Sequence, residues 1–363
     1  MSQAATAVVY CEANFGELDG KTANGLVRHS ERYKILSVID STKAGLDAGE
    51  VLGEPTSGIP ICRDLAAAFV EAGDVVPDYL IFGMAPASGM LTARERVLLL
   101  QCMDHGMSIV SGLHEFLGDD AEFAAKALER DVEIRDVRKP RPKTELRMFS
   151  GRVNDVTCPR IAVLGTDCAI GKRTTATVLT QALIDQGLKA VLIGTGQTGL
   201  MQGARYGVAL DAIPSQFCAG ELERTIVDAF EAEDPDVIVI EGQGALSHPA
   251  FSTSSFILRG SCPDAVILQH APRRRHRCDF ENMPMPNPGT EIKLIQTFSD
   301  TKVIGLTINH ENMEPAAVDG TIAMYESELG IPVTDALTKP PEHLAKIVIS
   351  AFPKLRKKTF EYA

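Results

Sequence analysis

The chain has 363 residues with 48 acidic against 36 basic side chains, a formal net charge of -12, and 45% hydrophobic and 23% charged residues. That composition excludes a mainly disordered chain and opposes global attraction to nucleic acid or anionic lipid, while the length predicts two or three domains. No apolar run reaches the roughly 18 residues of a membrane span. No charged-then-apolar leader follows the polar stretch Met1 to Thr6. The eight cysteines contain no CxxC pair, so reduced thiols in a cytoplasmic protein are expected, without a zinc centre. Tryptophan is absent and aromatics are 6%, which leaves few stacking platforms for nucleic acid.

In chain order, short apolar runs predict strands over 7–10, 35–39 and 79–82, and helical spacing predicts helices over 65–72 and 92–105. A strand over 108–110 and a helix within 121–130 follow. Alternation of this kind predicts a parallel α/β sheet. Turns at the strand ends are Asn14-Phe15-Gly16, Asp40-Ser41-Thr42 and 83–89. No GxGxxG follows the first strand, so a nicotinamide cofactor is not expected there. The run Arg138-Lys139-Pro140-Arg141-Pro142-Lys143 cannot be a helix interior, because its prolines remove donors and restrict their neighbours. It reads as an extended linker, solvated or facing a phosphate, and predicts domains over 1–145 and 146–363.

The pattern then repeats. Strands are predicted over 161–164, 190–193, 237–240, 265–268 and 303–308, and helices over 174–186, 221–232, 290–298 and 317–329. The segment 271–289 reads as a long functional or mobile loop, with Pro272, Pro284, Pro286 and Pro288 breaking regular structure.

Gly165, Thr166, Asp167, Cys168, Ala169, Ile170, Gly171, Lys172, Arg173, Thr174 and Thr175 fit GxxxxGK between a predicted strand and helix. The glycines let successive N–H groups turn inward, the helix N-terminus adds partial positive charge, and Lys172 adds a full one. Polyphosphate binding is expected. Thr174 or Thr175 is available to a phosphate oxygen or Mg²⁺, the latter only if the ligand is a nucleotide. Glu241 ends the strand 237–240, where a carboxylate orders a metal-bound water or acts as a base. His248 sits on the same rim, and His270 with the run Arg273 to Arg277 follows the next strand.

The segments GTDCAIGKRTTA, EGQGALSHPA and LQHAPRRRHRCD resemble the D-glutamate N-acetyltransferases of the DgcN type, a family once labelled of unknown function or as NAD-dependent epimerases. The resemblance covers the whole chain. It implies a Rossmann-like α/β domain followed by a P-loop NTPase-like α/β domain, and acetyl transfer from acetyl-CoA to the amine of D-glutamate in D-amino-acid catabolism. On that reading the loop binds the pyrophosphate of coenzyme A. Gln197, Thr198, His270, Arg273 and Arg275 are then substrate-binding candidates, with arginine suited to carboxylates. The base is Glu241, His248 or Asp167, in that order, and Cys168 offers a covalent route as the alternative to direct transfer. The second half is also similar to dethiobiotin synthetase, but Thr195, Gln197 and Thr198 stand where that family has a lysine. A Mg-ATP-dependent ligase or kinase, or a nucleotide-binding module without catalysis, are the competing expectations. A homo-oligomer is the default expectation.

Overall fold

The protein is described by a computed structural model over residues 4–86 and 88–355. Met1 to Gln3, at the head of the polar stretch, and Ala87, within the turn 83–89, lie outside the described residues, as does the segment 356–363. Two compact units form: Met1–Pro140 with Gln197–Ala204, and Arg141–Gly196 with Arg205–Ala363.

The first unit is a six-stranded sheet of β1 (Ala5–Tyr10), β2 (Tyr33–Ile39), β3 (Ile61–Cys62), β4 (Tyr79–Phe82), β5 (Ser108–Ser111) and β6 (Ile134–Asp136). The order is β3-β2-β1-β4-β5-β6, and every pairing is parallel. Val8, Val9, Leu80, Ile81, Ile109 and Val110 are all buried, which is why the central strands read as continuous apolar runs. The helix Ala93–Asp104 starts on a capping box between Thr92 and Glu95, matching the predicted start. The helix Lys21–Arg28 is not predicted, since its sequence KTANGLVR carries asparagine and glycine, both weak helix formers. Residues 197–204 join this unit because Met201 enters its core and the Thr198 hydroxyl lies 2.9 Å from that of Thr22. A boundary drawn at one point in the sequence has no means of expressing that insertion.

The second unit contains β7 (Arg160–Gly165), β8 (Ala190–Gly194), β9 (Tyr206–Gly207), β10 (Val237–Glu241), β11 (Ala265–His270), the hairpin strands β12 (His276–Arg277) and β13 (Phe280–Pro284), then β14 (Lys302–Ile308) and β15 (Val333–Asp335). Its main sheet runs β15-β14-β11-β7-β10-β8-β9, again all parallel. Alternate residues serve opposite faces. Ala162, Leu164, Ile238, Ile240, Val266 and Leu268 enter one core; Ile161, Val163, Val237, Val239, Ala265 and Ile267 enter the other. With both faces covered, the central strand β7 delivers its C-terminal loop to the carboxyl edge between β10 and β11. In such open sheets that edge is where ligands bind. The segment 271–289, expected as irregular loop, folds into the β12–β13 hairpin, with Asp279 in the left-handed region at its turn. Pro284 is tolerated there because it closes the end of an isolated ribbon.

Candidate functional site

Residues 166–171 connect β7 to the helix Lys172–Asp185. A Cβ on Gly165 would fall 2.8 Å from Ile170 Cδ1 and 2.9 Å from Lys172 Cδ, so a side chain there would have to displace both. Gly171 has φ +99°, a left-handed value that suits glycine, and it leaves the helix without a side-chain cap. The start of a helix is where backbone N–H groups and the helix dipole favour an anion. Lys172 is buried and donates to the Asp167 carbonyl. The Thr175 hydroxyl is already committed to Gln269 Oε1 at 2.6 Å, a carbonyl that also accepts from Thr307. Of the two predicted hydroxyls, Thr174 is the half-buried one without that commitment.

Asp167 is fully buried inside the loop. Its Oδ2 accepts from Arg274 Nη1 at 3.1 Å and from the Cys278 N–H at 2.8 Å. The guanidinium also donates to the carbonyls of Cys168 (2.7 Å) and Ala169 (3.0 Å), and its other side pairs with Glu311 at 2.7 and 2.9 Å. Asn309 Nδ2 donates to the Ile170 carbonyl at 3.1 Å. Ala169 is held at φ +48°, unusual for a residue with a side chain, and these contacts on its flanks fix it there.

Asp167 Oδ1 and His248 Nε2 face each other at 3.6 Å, each buried without a hydrogen-bond partner. His248 Nδ1 accepts the Ala250 N–H at 3.2 Å, which puts the proton of the neutral ring on Nε2, aimed at Asp167. Burial pushes this imidazole below its ordinary range, and the Asp167 carboxylate opposes the shift. Phe251 and Phe280 pack on the ring. Ligand atoms of Asp167, Cys168 and His248 lie within 4.8 Å of one another, a grouping that cysteine spacing does not reveal. A metal on Nε2 needs the ring proton on Nδ1, where the Ala250 N–H already points, so the pair fits a carboxylate–imidazole contact better than a metal centre.

Glu241, the first candidate base, is enclosed at the end of β10. Burial raises its pKa, with Arg173 and the N–H groups of Thr195 and Gly196 pulling the other way. His270 turns inward as well: its Nδ1 lies 2.9 Å from the Thr166 hydroxyl, its ring meets Tyr325 edge-on, and burial lowers its pKa to about 4. The basic run splits. Arg273 and Arg275 are exposed, whereas Arg274 grips the loop and the buried Arg277 donates to Ser247 Oγ at 2.7 Å and towards the Thr166 carbonyl. Ser247 is in turn held by the fully buried Glu291. Gln197 and Thr198 belong to the first unit, where Gln197 Nε2 donates to the Thr22 hydroxyl at 3.2 Å. The structure thus gathers Asp167, His248, Glu241, His270 and the phosphate loop in one unit and assigns Gln197 and Thr198 to the other. Burial carries Cys278 up to about 12, which disfavours its thiolate, while its backbone serves Asp167.

Sequence reasoning did not name Asn309, His310, Glu311 and Asp335. His310 Nδ1 lies 2.7 Å from Asp335 Oδ2, and Asp335 is almost fully buried. The available signal was positional: Asn309-His310-Glu311 directly follows β14, at the same carboxyl edge as the phosphate loop.

These features define a two-unit α/β protein in which a Rossmann-like sheet accompanies a P-loop unit whose loop is clamped by Arg274 and Asn309. The chain belongs to the DUF1611 family: residues 147–345 match its P-loop domain and residues 41–140 its Rossmann-like domain, both described as domains of unknown function. It is similar to the crystal structure of a DUF1611 family protein from Anabaena variabilis, at 30% identity and a TM-score of 0.87, covering 95% of this chain and 99% of that one. It is also 29% identical over 273 residues to a protein of Pseudoalteromonas sp. named D-glutamate N-acetyltransferase, covering 74% of this chain and 80% of that protein. A protein of Tritonibacter scottomollicae with the same name is 29% identical over 262 residues, covering 70% and 76%.

Proposed function

We propose that this protein is an N-acetyltransferase that moves the acetyl group of acetyl-CoA onto the amine of D-glutamate. The observation that carries the reading is the activity named for the two bacterial relatives, each aligned over at least 70% of this chain. The loop chemistry supports it. The N-terminus of the helix Lys172–Asp185, where backbone N–H groups point out of the helix, together with Lys172, suits the pyrophosphate of coenzyme A without requiring phosphoryl transfer. The position directly after Lys172, where nucleotide-hydrolysing loops carry the Mg²⁺-binding Ser or Thr, is Arg173, and the Thr175 hydroxyl further on is held by Gln269. That favours anion holding over ATP chemistry. In this reading the amine of D-glutamate attacks the thioester directly, and the exposed Arg273 and Arg275 receive its carboxylates.

The test is thiol release from acetyl-CoA with D-glutamate, L-glutamate or neither, beside an arm with Mg-ATP. Free thiol that depends on D-glutamate, with N-acetylglutamate seen by mass, is expected. Absence of substrate-dependent thiol sinks the proposal, and Mg-dependent nucleotide turnover replaces it with a ligase or kinase.

A further inference from the structure

The proposed reaction needs a base for the substrate ammonium, and the three groups considered from sequence do not present one at the surface. Glu241 is enclosed and its oxygens take the N–H groups of Thr195 and Gly196. The side chains of Asp167 and His248 have no exposure, and the His248 lone pair on Nδ1 already accepts from Ala250. His310 differs on each count. Its side chain is 36% exposed, and its Nδ1 donates to Asp335 Oδ2 at 2.7 Å. Asp335 is 1% exposed, and its second oxygen accepts the N–H groups of Leu337 and Thr338 at 2.9 and 3.0 Å. A carboxylate fixed this way sets both ring orientation and tautomer, placing the lone pair of the ring on Nε2. This is the relation of base to orienting carboxylate seen in hydrolytic triads.

The flanking residues tie His310 to the phosphate loop. Asn309 donates to the Ile170 carbonyl and, through its backbone, to the His270 carbonyl at 2.7 Å. Glu311 pairs with Arg274, the residue that clamps Asp167. A base between two loop-gripping residues keeps a fixed position relative to any ligand the loop holds.

We infer that His310 is the proton acceptor of this site and that Asp335 is its positioning residue; this rests on the acetyl-transfer reading. His310 Nε2 takes a proton from the ammonium of the amino-acid substrate. The freed amine attacks the thioester carbonyl, the N–C bond forms, and the C–S bond breaks. The imidazolium then returns its proton to the departing thiolate, and the new amide nitrogen gives its remaining extra proton to water, so that N-acetylated product, thiol and one H⁺ leave and charge and atoms balance.

The experiment is steady-state thiol release by the full chain as wild type, His310→Ala, His310→Gln, Asp335→Asn and Asp335→Glu, with coenzyme A affinity measured alongside. His310→Ala is expected to lower kcat about 10²- to 10³-fold with unchanged coenzyme A affinity. Added imidazole is expected to restore part of that rate, which no purely structural role predicts. Asp335→Asn should lower kcat without imidazole rescue, since the native ring still fills the site, and Asp335→Glu should recover part of the loss. If His310→Ala does not fold, His310→Gln carries the same kcat comparison. Wild type that turns over D-glutamate while the His310 variants keep kcat within a few-fold overturns this assignment alone. Loss of coenzyme A affinity without imidazole rescue also overturns it, by making His310 structural. A wild-type protein silent with acetyl-CoA overturns the acetyl-transfer reading, and the assignment with it.

Discussion

Arg274→Ala removes in one step a donor to Asp167 Oδ2, to the Cys168 and Ala169 carbonyls and to both oxygens of Glu311. Asp167 is then left fully buried with the Cys278 N–H as the remaining donor to Oδ2, while Oδ1 already lacks a partner. Breaking a buried pair by deleting one partner typically costs about 3–5 kcal/mol. The lower end applies here, because the side chains of Glu311 and Arg274 keep 27% and 16% exposure and water recovers part of the loss. At roughly 2–4 °C per kcal/mol for a unit of this size, a 3 kcal/mol loss lowers Tm by roughly 6–12 °C. The assay is thermal unfolding of Arg274→Ala, Asp167→Asn and the double variant. Neutralising Asp167 removes the stranded charge, so the double variant should recover part of the loss, with a coupling energy of about 0.5–3 kcal/mol. If the two single effects simply add, the clamp does not act through Asp167 and the reasoning fails.

Lys172→Ala should weaken coenzyme A binding by about 1.5–3 kcal/mol, the range for a hydrogen bond to a charged group, as measured by calorimetry; unchanged affinity removes the loop from the site. His270 has its pKa lowered from 6.5 to about 4 by burial, so the folded state resists the proton that the unfolded chain accepts. Stability is therefore full above pH 6.5 and falls as pH drops towards 4, by about 3 kcal/mol from this group. Denaturant midpoints across that window should show a shallower fall in His270→Gln, and an identical slope would refute the buried neutral ring. For Glu241 the sign is opposite: its raised pKa means that its stabilising contribution is present at low pH and lost as pH rises through the raised value. Glu241→Gln, whose amide oxygen can still accept the Thr195 N–H, is expected to match or exceed wild-type stability at pH 8. A clear loss there would show the carboxylate to be needed in its charged form.

Much of the fold was legible because parallel strands buried on both faces leave a strong local trace. The runs around Ile161, Val237 and Ala265 announced β7, β10 and β11 without reference to anything distant. GxxxxGK between strand and helix marked the phosphate loop for the same reason, since its geometry is set by consecutive residues. Short elements such as β3 and β15, of two and three residues, had no periodicity to read and exist because a neighbouring strand offers them hydrogen bonds.

What the sequence determined by itself was the set of chemical groups: a GxxxxGK loop, a carboxylate at the end of β10 and an arginine-rich stretch after β11. Tertiary structure decided the roles. Within Arg273 to Arg277 all four arginines look alike in sequence, yet only packing against the loop makes Arg274 the clamp and Arg277 the partner of Ser247, leaving Arg273 and Arg275 in water. The opposition of Asp167 to His248, and of His310 to Asp335, joins residues on different strands of the sheet edge. Strand order is a long-range outcome of burying both faces at once, and no local pattern encodes which strand ends become neighbours. That is why Glu241, plausible by position alone, turned out to be enclosed, while His310, unremarked in the sequence, stands half-open with its carboxylate behind it.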